Sequence, residues 1–301
     1  MAKASVVIPV HNGKKFINNA IKSAIAQSVT DIEIIIIDDA SSDGTEDEIY
    51  RNFSDHIGNK IIYFKNDKNR ERAFSRNKGY ELSSGEYIFF LDYDDEWDTS
   101  YIESMVRFIE ANKCDMAYSF QRTFIDETSR VLRVSKKKLP NDIGNAIFSS
   151  AVGYPTSTVF QRGAFSDYRT EYIPREDWEI FIRAYLNGLN IGIVDNNKTR
   201  IRGHEGRTSK KTFFWSSTKK IFEDYREKIP DPYKPDFFYH IGDVCLRFGD
   251  IAGGWKLITE SIMIQPSILL DKRKVVSFLK RGCRIDKYFK YFKDRKALCR
   301  G

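Results

Sequence analysis

The sequence predicts an α/β fold: a doubly wound, mostly parallel sheet flanked by helices, followed by a helical C-terminal extension. Three observations predict it. Strand-like and helix-like segments alternate through the first third of the chain with short turns between them. The strands are unbroken apolar runs, as expected where helices cover both faces of a parallel sheet. From residue 221 onward the pattern is helical.

Ala4–Pro9 reads as a buried strand, and His11-Asn12-Gly13 turns the chain. Phe16, Ile17, Ala20, Ile21, Ala24 and Ile25 then recur at helical spacing. Ile32–Ile37 is a β-branched run suited to a central strand; it ends in Asp38-Asp39, and Ser41–Thr45 is turn chemistry. A strand at Lys60–Phe64, a helix at Ala73–Leu82 and a strand at Glu86–Leu91 continue the alternation. Beyond Trp97 we expect a helix at Tyr101–Asn112, short strands at Asp115–Phe120 and Thr123–Ile125, and a polar loop over Lys136–Asn145. A helix at Glu176–Asn187 and a strand at Ile191–Asp195 follow, then a flexible basic stretch.

These readings divide the chain into a catalytic domain over 1–220, a helical hairpin over 221–270 and a basic tail over 271–301. The hairpin, Phe237–Phe248 and Gly253–Ile264, is like a single tetratricopeptide unit.

The composition is that of a globular protein, with 41% hydrophobic and 30% charged residues. No apolar run approaches the roughly 20 residues that span a bilayer. The opening residues pass directly into a strand pattern without a signal peptide's apolar core, so a cytoplasmic location is expected. Cys114, Cys245, Cys283 and Cys299 lack zinc or disulfide spacing. The net charge is +7, but residues 271–301 hold twelve Lys/Arg against three Asp. The rest is therefore slightly acidic, and no nucleic-acid partner is expected. In the tail, Ile285, Tyr288, Phe289 and Phe292 share one helical stripe, with Lys287, Lys290, Lys293 and Arg295 largely off it. Such a basic amphipathic helix suits an anionic membrane surface, and docking on the protein's own helices competes with that reading.

In open α/β sheets ligands bind beyond the C-terminal ends of the strands. Pro9–Asn12, Asp38-Asp39 and Asp92–Asp95 each follow a strand and could converge there. Clustered carboxylates are costly unless a cation neutralises them, and oxygen ligands suit Mn²⁺ or Mg²⁺. The plainer reading is a solvated acidic turn. Glu176-Asp177 opens a helix, a placement the helix dipole favours whatever the function.

The segments Val7–Gly13, Ile36–Thr45, Arg76–Gly79 and Gly85–Asp95, in that order and spacing, together with Pro174–Glu179 and Arg200–Ser209, resemble family 2 glycosyltransferases from about residue 4 to 210. The resemblance implies a GT-A fold, Rossmann-like in its nucleotide-binding half, and an inverting transfer of sugar from a nucleotide-diphosphate donor to a hydroxyl. It implies that Asp39 reads the nucleobase, commonly uracil, framed by Pro9, His11 and Asn12, with Asp38 either helping or capping the turn. Asp92, Asp94 and Asp95 would hold donor ribose and metal, with Asp94 and Asp95 in the metal neighbourhood. Asp177 would be the general base, and Glu176 and Trp178 would shape the acceptor pocket. His204 would be a third metal ligand or a phosphate contact, Arg202 a leaving-group stabiliser, and Arg76 a donor contact.

The chain departs from the family in two places: His11 replaces the frequent Tyr or Phe, and Glu71-Arg72 stands where relatives often have Gly or a basic diphosphate contact. The expected partners are a UDP-sugar, a glycan or lipid-linked acceptor, and an anionic membrane surface. A nucleotidyltransferase would carry a Gly-rich N-terminal loop that Pro9–Gly13 does not supply. The remaining alternative is a catalytically silent scaffold of the same fold.

Overall fold

A computed structural model describes residues 2–203 and 213–282. Two compact units divide the chain: Met1–Ile143 with Val152–Thr208, and Gly144–Ala151 with Ser209–Gly301.

In chain order the first unit contains β1 (Ala4–Val10), α1 (Ile17–Ile25), β2 (Ile32–Asp38), α2 (Thr45–Phe53), β3 (Ile61–Lys65), α3 (Glu71–Leu82) and β4 (Tyr87–Phe90). It continues with β5 (Glu96–Trp97), α4 (Tyr101–Asn112), β6 (Met116–Ser119), β7 (Thr123–Ile125) and β8 (Val131–Val134). A short helix, α5 (Ile143–Phe148), leads into the second unit, and β9 (Thr158–Gln161), α6 (Glu176–Leu186), β10 (Ile191–Val194) and β11 (Thr199–Arg202) complete the first.

Seven strands form the main sheet in the order β10-β6-β9-β4-β1-β2-β3. All neighbours run parallel except β9, which lies antiparallel between β4 and β6. The chain leaves β1 towards β2 and β3, then returns to place β4 on the other side, so the topological switch point falls between β1 and β4. Every residue of β1 and β4 is buried. That explains their unbroken apolar sequences, because both faces of the sheet are covered. Helix α3 lies close on β1: a Cβ at Gly79 would sit 2.2 Å from Val7 Cγ1, so only glycine fits.

A second sheet, β5-β11-β7-β8, stands beside the first. The stretch expected to be flexible after Asp195 thus contains an ordered strand, Thr199–Arg202, held between β5 and β7. The sequence reading also passed over α2, β8 and β9. In α2 only Ile49 and Phe53 bury apolar side chains, too few to make a period.

The second unit consists of the end of α5 and helices α7 (Phe213–Tyr225), α8 (Lys234–Phe248), α9 (Ile251–Ile264) and α10 (Lys272–Gly282). The domain boundary expected near residue 220 falls inside α7. Helices α8 and α9 form the expected hairpin. Gly249 at φ +94° ends the first, and Asp250 caps the second by accepting the Gly253 N–H at 2.9 Å. Its core includes Tyr239, Leu246, Ile258 and Ile268. No helix of the described residues is long and apolar enough to cross a membrane.

Candidate active site

The C-terminal ends of β1, β2 and β4 are hydrogen-bonded neighbours. Asp39 N–H donates to Val10 O at 2.7 Å, and Leu91 N–H donates to Val7 O at 2.9 Å. The segments expected to bind a ligand therefore do emerge side by side.

At the end of β2 the two aspartates divide their work. Asp38 is buried and uses both oxygens internally: Oδ1 accepts the Ser41 N–H at 2.8 Å and Oδ2 accepts the Tyr63 hydroxyl at 2.8 Å. It is a turn cap, the plainer of the two roles open to it. Asp39 is also buried, but both of its bonds fall on Oδ1, from Asn66 Nδ2 at 2.7 Å and Arg70 N–H at 2.9 Å. Its Oδ2 takes part in neither bond. His11 Nδ1 donates to Asp39 O at 2.7 Å while Nε2 accepts from Asn12 Nδ2 at 3.1 Å. The Asn12 carbonyl in turn accepts the Ser42 N–H at 2.9 Å, so His11 and Asn12 brace the loop that carries Asp39. Pro9 is buried in β1.

At the end of β4 the chain delivers Asp92, Asp94 and Asp95. Asp95 is 5% exposed; Oδ1 accepts the Arg202 N–H at 2.9 Å and Oδ2 accepts the Thr156 hydroxyl at 2.8 Å. Burial, and then the charges of Asp94 and Asp92, push its carboxyl well above the usual carboxylate range. Asp95 is thus a buried support for the acidic loop, which fits a place behind the metal neighbourhood better than one as a direct ligand. Asp92 and Asp94 are partly exposed.

Arg202 is corrected more sharply. It is 1% exposed and spends its guanidinium inside the protein, on Asp94 O at 2.8 Å, Glu96, Asp126 O and Ser129 Oγ. None of it remains to stabilise a leaving diphosphate. Arg76 is likewise buried, and instead of meeting a donor it joins two acidic elements. Its Nη2 bonds Asp92 Oδ1 at 2.7 Å, and its Nη1 bonds Glu176 Oε1 at 3.1 Å. Arg72 adds a second cation on Glu176 Oε1 at 2.7 Å. Glu176, 2% exposed, is therefore a strut rather than an acceptor contact. Trp178, 1% exposed, is a core side chain under Arg175 and cannot stack on a sugar. Both expectations fail because a helix that opens at the site turns most of its first-turn side chains inward.

Asp177 is the exception, being only half-buried. Burial, and then the adjacent Glu176 charge, raise its pKa to about 6, against the pull of Arg175, Arg72 and Arg76. A carboxylate poised there is matched to accepting a proton near neutral pH. His204 lies outside the described residues.

Two residues that hold the site, Asn66 and Thr156, were not anticipated. Thr156 Oγ1 donates to Asp95 and accepts the Asp92 N–H at 3.2 Å, so it pins both ends of the acidic turn. Neither sits in a motif, and only the folded chain brings them to the aspartates.

No three of the described acidic, His or Cys side chains converge as a closed ligand set. Asp92 and Asp94 precede a third carboxylate whose proton affinity burial, and then their charges, have raised, and Arg76 offsets only part of that charge through Asp92 Oδ1; carboxylate oxygens so placed suit a divalent cation.

Solved structures place the fold in a class. Staphylococcus aureus TarS 1–349 in complex with UDP-GlcNAc matches at a TM-score of 0.57 and 16% identity, covering 89% of this chain and 92% of that one. The mannosyltransferase PcManGT from Pyrobaculum calidifontis, in complex with GDP-Man and Mn²⁺, matches at 0.60 and 14%, covering 97% and 82%. The fold is that of the GT-A glycosyltransferases. The chain itself belongs to glycosyl transferase family 2, whose model matches residues 5–169. It is 30% identical over 217 residues to the UDP-Glc:alpha-D-GlcNAc-diphosphoundecaprenol beta-1,3-glucosyltransferase WfaP of Escherichia coli, spanning 71% of this chain and 82% of that protein.

Proposed function

We propose that this glycosyltransferase inverts configuration while moving a hexosyl or N-acetylhexosaminyl group from a UDP-sugar onto a hydroxyl of a glycan or lipid-linked acceptor. One observation carries the reading: Arg76 joins Asp92, in the loop just after β4, to Glu176, the residue before Asp177. The ion network thus ties the acidic turn after β4 to the start of the helix that carries Asp177, which supports reading the two as donor-side carboxylate and base.

In this reading Asp39 Oδ2 accepts the uracil N–H, a charge-assisted bond, on a loop braced by His11 and Asn12 beside Pro9. Asp92 and Asp94 meet the donor's ribose and hold Mn²⁺ or Mg²⁺, with Asp95 supporting the turn behind them. When bound, the metal supplies Lewis-acid stabilisation of the departing nucleoside diphosphate. Asp177 takes the proton from the acceptor hydroxyl as its oxygen bonds to the anomeric carbon from the face opposite the diphosphate, whose C–O bond breaks. WfaP, whose name specifies a UDP-sugar donor and a lipid diphosphate acceptor, supports these choices, as do the UDP-GlcNAc in TarS and the Mn²⁺ in PcManGT.

The C-terminal unit, with residues 271–301, is proposed to attach to the anionic inner face of the cell membrane. Met263, Ile264, Leu270, Val276 and Leu279 are exposed there, in a segment that also carries Lys272, Arg273 and Lys280. The stripe at Ile285–Phe292 lies outside the described residues.

The test is UDP release from a panel of UDP-sugars with Mn²⁺ or Mg²⁺ and then with EDTA. Metal-dependent release from one donor, lost in Asp94→Asn, is the expected result. No release from any nucleotide sugar would overturn the reading in favour of a silent scaffold.

A further inference from the structure

The turn and outer strand of the β7–β8 hairpin form a surface that the proposed reaction does not use. Val131, Leu132 and Val134 of β8 are 50%, 60% and 40% exposed, and Leu139 just beyond is 36% exposed. Apolar side chains at this density on an edge strand are unusual, because such edges invite pairing and are normally blunted.

Along the chain their neighbours have one sign of charge, and across it Asp195 stands beside Val134 and Lys136. From Thr128 to Asn141 there are five Lys/Arg, namely Arg130, Arg133, Lys136, Lys137 and Lys138, and no Asp or Glu. All five are exposed. The two acids that precede the run are engaged: Asp126 Oδ1 accepts the Thr128 and Arg130 N–H groups within the turn, and Glu127 pairs with Lys15.

This surface is not a frayed end. Asp126 N–H donates to Arg130 O at 2.9 Å, Ser135 N–H donates to Arg122 O at 2.7 Å, and the Gln121 side chain bonds both Lys137 N and O. The hairpin also stands next to the site, because Arg202 bonds Asp126 O and Ser129 Oγ in its turn and Asp94 O in the acidic loop.

We infer that this hairpin is a docking surface for an anionic phospholipid bilayer. Leu132 and its apolar neighbours enter the interface while the lysines meet lipid phosphates, the combination that interfacial anchors use. A protein partner with an acidic face is the less favoured occupant, since the exposed groups are aliphatic and cationic chains, and the cavity of about 290 Å³ beside Val134 and Lys136 is lined otherwise by polar groups and itself holds an acid, Asp195. The inference deepens the proposed function by naming the surface from which a lipid-linked acceptor arrives, and its acceptor side rests on that reading. It concerns the catalytic unit and is separate from any contact made by the C-terminal tail.

The full chain is sedimented with vesicles of phosphatidylglycerol and phosphatidylcholine, and with phosphatidylcholine alone. The wild type is compared with Lys136→Gln/Lys138→Gln/Leu132→Ser. A loss of at least about tenfold in partitioning to anionic vesicles is expected, since each lysine near such a surface contributes about a factor of five. UDP release by the variant stays at the wild-type level, which shows that the fold and donor site are intact. In parallel, the Leu132→Trp variant of the full chain gains fluorescence quenching by brominated lipids over the wild-type background. Equal partitioning of variant and wild type, equal binding to neutral vesicles, or no added quenching in Leu132→Trp would each overturn the inference. Failure of UDP release in every protein, with vesicle binding intact, would instead count against the proposed reaction.

Discussion

Asp177 shows how much one residue's environment adds to its identity. As the second acid of a helix-opening pair it is ordinary, and the dipole alone would favour its ionised form. Burial outweighs that, and with Glu176 alongside, its pKa rises to about 6. The sign of the pH effect follows. Below pH 6 the carboxyl holds its proton and cannot accept another, so turnover climbs as pH rises through about 6 and levels off above it. A pH profile of kcat on the identified donor checks this, and a flat profile between about pH 5 and 7 would count against Asp177 as base. Asp177→Asn removes the limb along with about 10²- to 10⁴-fold of the rate, while calorimetric donor binding remains. Arg76, Arg202, Glu176 and Trp178 were misjudged because a motif gives the type of a side chain but not the side of the backbone on which it is buried.

Elements with a strong period were legible nearly to the residue. The helix over Tyr101–Asn112 and the strand over Thr123–Ile125 lie where apolar spacing and turn residues put them. The elements that were missed are short and owe their state to neighbours. Strand β9, Thr158–Gln161, is held by β4 on one side and β6 on the other, and β8 sits in a basic run that reads as loop. Glu71, at φ +69° where α3 begins, occupies a left-handed conformation that only glycine adopts without strain. Packing between elements is equally specific. Gly79→Ala, which puts a methyl group into Val7, is expected to cost about 1–3 kcal/mol by forcing α3 off β1. Urea denaturation measures it, and Val7→Ala in the same chain recovers part of the loss because the two sites share one contact.

For the whole molecule, charge is the property most open to test. The net +7 is concentrated in the last thirty residues and, within the catalytic unit, along the β7–β8 hairpin. Membrane association by such surfaces is screened, since the Debye length falls from about 10 Å at 0.1 M salt to about 3 Å at 1 M. Sedimentation with anionic vesicles is therefore expected to fall steeply over that range, whereas UDP release, which depends on a buried ion network, changes little. Salt-insensitive vesicle binding would mean that the apolar side chains act alone. The α/β class, the alternation of strands and helices, the acid-ended strand and the asymmetry of charge were all determined by the sequence, because each is written in neighbouring residues. Which aspartate caps the turn, which arginine bridges, and which tryptophan is core were decided only by the tertiary structure. Those outcomes depend on Asn66, Thr156, Arg72 and Glu176, which lie far apart along the chain and meet only when the sheet closes.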